Sequence, residues 1–508
     1  MKKIIKYIVL GTMGLSALSC SKFEEINSNP EAANKVNSSM IATRIILNIT
    51  KQETTKSFMM PYLLNKNIIW TEFVESYQYN GFGTGSVTLT AINDAHFMPE
   101  FATTPKLAKS YEGLMYFVRA VKFFQNSMDL GDIPYSESLK GETEKTYFPK
   151  YDSQKDAFIG ILKELDLADK AFSEGDNFSG DPIYGGNVLK WRKLVNSFAL
   201  NVLIQLSKKE AEADLNVKSK FQDILTNRPI FSGNEDNWQI KHADKTGQQY
   251  PFYKVGNSFT IYPTMSTEII DPLKARQDRR LFYYGNPAQK KITGGMTQSD
   301  YDAYVGIDHS LSFDVITSIK NSLDYSKIND RYVEITAGEP TQQLSYSQVC
   351  FIIAEAAARG WVSDQAVDWY KKGIEASMKF IVDNTPNSTQ FHHNMPMDAT
   401  YINSYLATQA AAFPATKEAR IEEIMLQKYL ASFLQSKFAT YYDYRRTGYP
   451  KWKINPATSL NSEAPTKIPV RWKYPSSEFN YNSDNVDAAV ERQYGGTDDI
   501  NQLMWILK

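Results

Sequence analysis

The sequence predicts an all-helical protein, a scaffold of packed helices with long irregular insertions between them. Three observations carry this. Apolar residues recur at helical spacing through most of the chain, and no low-complexity linker divides it. The stretches between periodic segments are long and rich in Gly, Pro, Asn and aromatics, the composition of loops that bind ligands. With 508 residues, 42% of them apolar, the chain can build a large core, and a single helical domain over 38–508 is the simplest division.

The first element is a leader. Lys2, Lys3 and Lys6 precede a short apolar run from Tyr7 to Leu18, and small residues lead into Cys20. A spanning helix needs about 20 apolar residues, so residues 1–19 are expected to be a secretory signal peptide. Cleavage before Cys20 frees a thiol that can carry lipid, and "ALSC" resembles the bacterial lipoprotein cleavage box, with its leucine one place late at Leu18. One acyl chain anchors weakly, at about 0.8 kcal/mol per buried CH2, so several are needed. Residues 20–37 then form a flexible tether, and "SKFEE" resembles the Lys-plus-acidic tract that directs lipoproteins to the cell surface. Loss of the three leader lysines takes basic residues from 56 to 53 against 57 acids, a mature charge near -4 that does not suit nucleic acid.

Helices follow in order. "SYEGLMYFVRAVKFFQNSMDLGDIPY" reads as a helix closed by Gly131 in a left-handed cap and barred from continuing by Pro134. In the next, Phe158, Ile161, Leu162, Leu165, Ala168 and Phe172 form one stripe behind a box-like cap at Ser153 and Asp156. Further helices are expected at Leu189–Lys208, Tyr346–Arg359, Asp364–Val382 and Glu418–Thr440. Irregular chain is expected at Gly81–Pro105, Asn227–Pro263, Tyr283–Pro340 and Thr447–Tyr494. Small residues at Ala354, Ala366 and Gly373 fit the close helix packing of tetratricopeptide repeats, and equally a generic helical hairpin.

"LGDIPYSESLKGE", "FPKYDSQKDAFIGILKELDLA", "LKWRKLVNSFALNV", "YSQVCFIIAEAAARGW", "ARIEEIMLQKYLASFLQSKFATYYDYRRTGYPKW" and "IPVRWKYPSSEFNYN" appear in that order. Together they resemble the SusD/RagB family of outer-membrane nutrient-binding lipoproteins, over most of the chain from about Phe23. The resemblance implies four tetratricopeptide-like units as scaffold, with the ligand site on irregular segments of the opposite face. It also implies a lid role over a SusC-like TonB-dependent outer-membrane barrel, to which captured oligosaccharide, or peptide in some members, is delivered for import.

Sugar rings lie against aromatic faces while their hydroxyls need amides and charges at the edges. "NIIWTEFVESYQYNGFGTG" offers Trp70, Tyr77, Tyr79 and Asn80, and the central insertion offers Tyr283, Tyr284, Tyr301 and Tyr304. In the family the ligand aromatics lie in these two places. Arg445 and Arg446 are expected to pair with Asp443 or to cap helix carbonyls. Tyr135 is expected to pack under the loop that follows it.

Catalytic signatures are missing from the sequence. It holds no His-Glu-x-x-His zinc motif, no Gly-x-Ser-x-Gly elbow and no phosphate-binding loop, so neither cofactor nor metal is expected. His392 and His393 read as a surface pair, Cys350 as a small core residue, and the acidic loops "SEGDNFSGD" and "NSDNVD" lack EF-hand spacing. The expected function is therefore binding without turnover. A surface glycoside hydrolase, which needs two carboxylates of split pKa, and a protein-binding helical scaffold are the alternatives of other classes.

Overall fold

A computed structural model describes residues 37–508. The expected leader, Cys20 and all but the last residue of the expected tether lie outside the described residues. Among the described residues no helix is long and apolar enough to cross a membrane.

The chain starts with α1 (Ser38–Thr50), whose first turn is capped by the Asn37 side chain accepting from Met40 N, and α2 (Thr55–Leu64). The scaffold proper begins with α3 (Pro105–Leu130), opened by Pro105 behind a Thr104 cap. It packs on α4 (Gln154–Glu174), whose stripe from Phe158 to Phe172 is buried as expected and whose Ser153 caps Asp156 N. Each such side chain contributes about 1.5–3 kcal/mol on burial. Three further helix pairs follow: α5 (Val188–Gln205) with α6 (Val217–Asn227), α7 (Tyr346–Ala358) with α8 (Ala366–Asp383), and, beyond α9 (Ala399–Ala411), α10 (Lys417–Ala431) with α11 (Ala439–Thr447). At the α7–α8 contact, a Cβ on Gly373 would lie 2.8 Å from the Phe351 ring, so only glycine lets these helices approach.

Expected boundaries differ in several places. Two stretches expected to be irregular carry short helices, Thr90–His96 within Gly81–Pro105, and Gln289–Thr293, Phe313–Asn321 and Asp330–Glu334 within Tyr283–Pro340. The segment Glu418–Thr440 is not one helix, because Leu434, Ser436 and Lys437 take positive φ (53°, 58° and 36°). Tertiary bonds hold this turn: the Gln435 amide donates to Glu339 (2.6 Å) and Pro340 O (3.1 Å), while its oxygen accepts from Gln342 N (2.7 Å). The stretch Thr447–Tyr494 contains a helix, α12 (Ser483–Tyr494), so "NSDNVD" is a helix start rather than a loop.

Two small antiparallel pairs staple the insertions to the scaffold. β1 (Ile68–Ile69) pairs with β3 (Thr264–Met265), and β2 (Trp238–Ile240) pairs with β4 (Thr341–Leu344) across a bulge at Trp238/Gln239. The first places the Trp70 segment beside the central insertion.

The shared motifs are architectural. Gly131 has φ 98° and ψ -112°, a conformation outside the left-handed cap and open to glycine alone, and a Cβ there would collide with Gln493 and Tyr494. Arg445 donates to Met128 O and Val470 O, and Tyr442 OH donates to Asp129 (2.6 Å), so α11 ties down the end of α3. Tyr135 packs against Phe123 and the α4 backbone at Gly160, its hydroxyl donating to Glu164 (3.1 Å).

Candidate functional site

The 70–82 loop is built around a buried lysine. Lys66 is fully buried, and its Nζ donates to Tyr77 O (3.0 Å), Gln78 O (2.8 Å) and Asn80 Oδ1 (3.0 Å). Burial lowers its pKa to about 7, the nearby Glu268 opposing the shift. The Gln78 side chain accepts from Trp70 N (2.7 Å), and Thr71 donates to Tyr262 O (2.6 Å). The loop is thus closed on itself and on the 259–262 turn.

This frame places the expected site residues. Trp70 is fully buried, with its ring covered by Phe73, Phe259 and Tyr262 at centroid distances of 5.3–6.1 Å. Tyr79 and Asn80 are buried too, Tyr79 OH donating to Leu311 O (3.0 Å) and Asn80 spending its oxygen on Lys66. Tyr77 is half-buried, its hydroxyl accepting from Trp472 Nε1 (3.0 Å). In the insertion, Tyr283, Tyr284 and Tyr304 are buried and Tyr301 is half-buried. Their hydroxyls meet backbone: Tyr283 OH accepts from Met397 N, while Tyr284, Tyr301 and Tyr304 donate to Leu430 O, Gln277 O and Gln298 O. A buried phenol needs a partner for its hydroxyl, and these tyrosines find theirs within the fold.

What reaches solvent is the layer above Trp70. Phe73 is 41% exposed, Val74 52% and Ile261 72%, and the half-buried Tyr262 shares the Trp70 ring with Phe73. Charges rim this patch: Lys56 Nζ sits 4.4 Å from the Phe73 centroid and pairs with Glu75 (2.5 Å), and Lys320 Nζ lies 5.6 Å from the Tyr262 centroid. Apolar faces with charged edges suit a ring carrying hydroxyls. Of the residues expected from this segment, Trp70, Tyr79 and Asn80 are buried and Tyr77 is half-buried, so none of them forms the exposed face. Phe73 and Tyr262 carried no signal of their own, because which ring lies outermost depends on the β1–β3 pairing.

Burial raises Glu268 to about 7 with help from the charge of Asp308. Asp308 is also pushed up by burial, but bonds from Ser310 and Lys453 outweigh this and leave it low. Such a split suits an acid–base pair, yet Glu268 faces His309 Nδ1 (3.6 Å), and neither carboxylate lines the 640 Å³ or the 540 Å³ cavity of the fold. Among the described residues no group of three or more His, Cys, Asp or Glu could hold a metal. The acidic turn near Asp181 is likewise filled from within: its carboxylate accepts from Ile183 N, Tyr184 N, Gly186 N and Trp191 Nε1. His392 and His393 are buried rather than on the surface, bonded to Asn387 and Asn329.

Comparison with known proteins agrees with this architecture. A family model, SusD-like, described as starch-binding and associating with the outer membrane, matches residues 29–475. A SusD homologue from Bacteroides fragilis superposes with a TM-score of 0.90 at 43% identity, covering 93% of this chain and 100% of that one. An outer-membrane protein of Bacteroides vulgatus, linked by its description to nutrient binding, follows at 0.79 and 31%, with the same coverage. A chitin-binding SusD homologue from Flavobacterium johnsoniae shares the fold at 0.70 and 18% identity, over 93% of this chain and 98% of its own. No curated protein matches the chain. With its helix pairs, its stapled insertions and a family match over most of its length, the chain belongs to the SusD-like family.

Proposed function

We propose that this protein is a cell-surface lipoprotein, anchored in the outer membrane through Cys20, that captures oligosaccharide and delivers it to a SusC-like TonB-dependent barrel. The observation that carries the binding role is the patch of Phe73, Tyr262 and Ile261, supported from beneath by Trp70 and edged by Lys56 and Lys320. Family membership supports outer-membrane association. The mechanism is mechanical: a tether keeps the body at high effective concentration over its barrel, so modest affinity suffices. A ligand touching both partners favours the closed state by its differential affinity alone. Isothermal titration of the protein with a panel of neutral oligosaccharides and oligopeptides tests the reading. Saturable sugar binding without product release is expected. Peptide binding alone would move the cargo to oligopeptide, and release of shorter sugars would replace the binder with a hydrolase.

A further inference from the structure

We infer that the cavity between α1 and the 240–251 segment binds an acidic saccharide, its ring on the apolar wall and its carboxylate between Lys51 and Lys241. The inference rests on the binding role proposed above and adds a ligand class at a second place. The cavity has a volume of about 540 Å³, within the range of about 300–1,000 Å³ of small-molecule sites. Leu47, Ile240, Pro182 and Pro251 give it apolar walls. Gln52, Gln248 and Gln249 add amides suited to hydroxyls.

Its charge is one-sided. Two lysines line it and no Asp or Glu does. Neither lysine forms an ion pair among the described residues, and the Asp244 and Lys245 of the neighbouring turn are exposed outside the lining. The wall is also fixed. Ala243 N donates to Gln248 O (2.9 Å) and Lys245 N to Ala243 O (2.8 Å), with Gly247 at φ 79° closing the turn. His242 sits in the same wall, bonded to Thr341 (3.1 Å) and edge-on to Tyr250. Burial first, and the Lys51 charge second, lower its pKa to about 4, so it is neutral near pH 7 and feels Lys51 directly. The 640 Å³ groove beside α9 is a useful contrast: its Arg276 is already neutralised by Glu423 at 2.7 Å. Lys51 and Lys241 have no such carboxylate partner among the described residues and are left for an incoming anion.

The test titrates the full chain in detergent with uronic and sialic acid oligosaccharides and with their neutral counterparts. At least one acidic member should bind about tenfold or more tightly than its neutral counterpart. That preference should collapse between about 0.1 M and about 1 M salt, as the screening length falls from about 10 to about 3 Å. In the double variant Lys51→Gln/Lys241→Gln the preference should vanish, with neutral-sugar binding and thermal unfolding unchanged. The His242 ring resonances should shift with the acidic sugar only. Equal binding of acidic and neutral sugars, a preference that survives the double variant, or unmoved His242 resonances overturns this inference and leaves the proposed function standing. Failure of every sugar to bind overturns both.

Discussion

Arg446 of α11 reaches Glu355 in the middle of α7, with Nη1 and Nη2 bonded to the two carboxylate oxygens at 2.5 and 2.8 Å, and both side chains are sealed from solvent. Nη2 also holds Asp443 (3.0 Å), which Lys428 and Gln205 reach at 2.8 and 3.0 Å. One fork of charge therefore joins α5, α7, α10 and α11. Removing one partner strands a buried charge, so Arg446→Leu should cost about 3–5 kcal/mol of stability in denaturant unfolding. A cost below about 1 kcal/mol would show that the pair adds nothing to the fold.

The same pair sets an acid limit. Burial pushes Glu355 up, but Arg446, with Arg359 and Lys428 adding, holds it down to about 2. A depressed carboxylate stabilises the fold above its unfolded value of 4.5, and that contribution is lost as pH falls toward 2. Thermal scans from pH 5 to pH 3 should show a smaller loss in Glu355→Gln than in the parent chain, from a lower starting stability.

Glu268 works in the opposite direction. Its folded-state pKa of about 7 lies above the ordinary 4.5, so its contribution is full below pH 4.5 and lost as pH rises through 7. Glu268→Gln should flatten the stability profile between pH 5 and pH 7.5. An unchanged slope would contradict the burial of this carboxyl beside His309.

Trp70 and Phe73 separate support from contact. Trp70→Ala should cost about 3–5 kcal/mol of stability, since it empties a buried site under the patch. Phe73→Ala, or Tyr262→Ala, should weaken oligosaccharide binding about tenfold to a hundredfold with little change in unfolding. Titration calorimetry beside thermal unfolding distinguishes the two, and wild-type affinity in both surface variants would move the site elsewhere.

Gly131→Ala should destabilise by about 2–4 kcal/mol, because a positive φ and a collision with Gln493 and Tyr494 act together. Urea unfolding measures it.

The scaffold was legible because helical spacing reports burial directly. The stripe from Phe158 to Phe172, the Ser153 cap and the small residues Ala354 and Gly373 are local signals of packing. The break after Ala431 was not, because Gln435 is held by Glu339, Pro340 and Gln342, about 95 residues away in the chain. The aromatic 70–82 segment could be found but not its outward ring. Aromatic content marks the 70–82 loop, whereas the bonds from Lys66 and the β1–β3 pairing decide that Trp70 turns in and Phe73 out. Lys51 and Lys241 gave no signal, since 190 positions separate them and only the fold brings them to one cavity.

The most direct test of the central claim is gentle detergent extraction of the native protein, followed by mass spectrometry of everything that copurifies. The account predicts a lipid on Cys20, a TonB-dependent barrel in stoichiometric amount, and oligosaccharide among the small molecules released. A protein that emerges without lipid, barrel or sugar would contradict it.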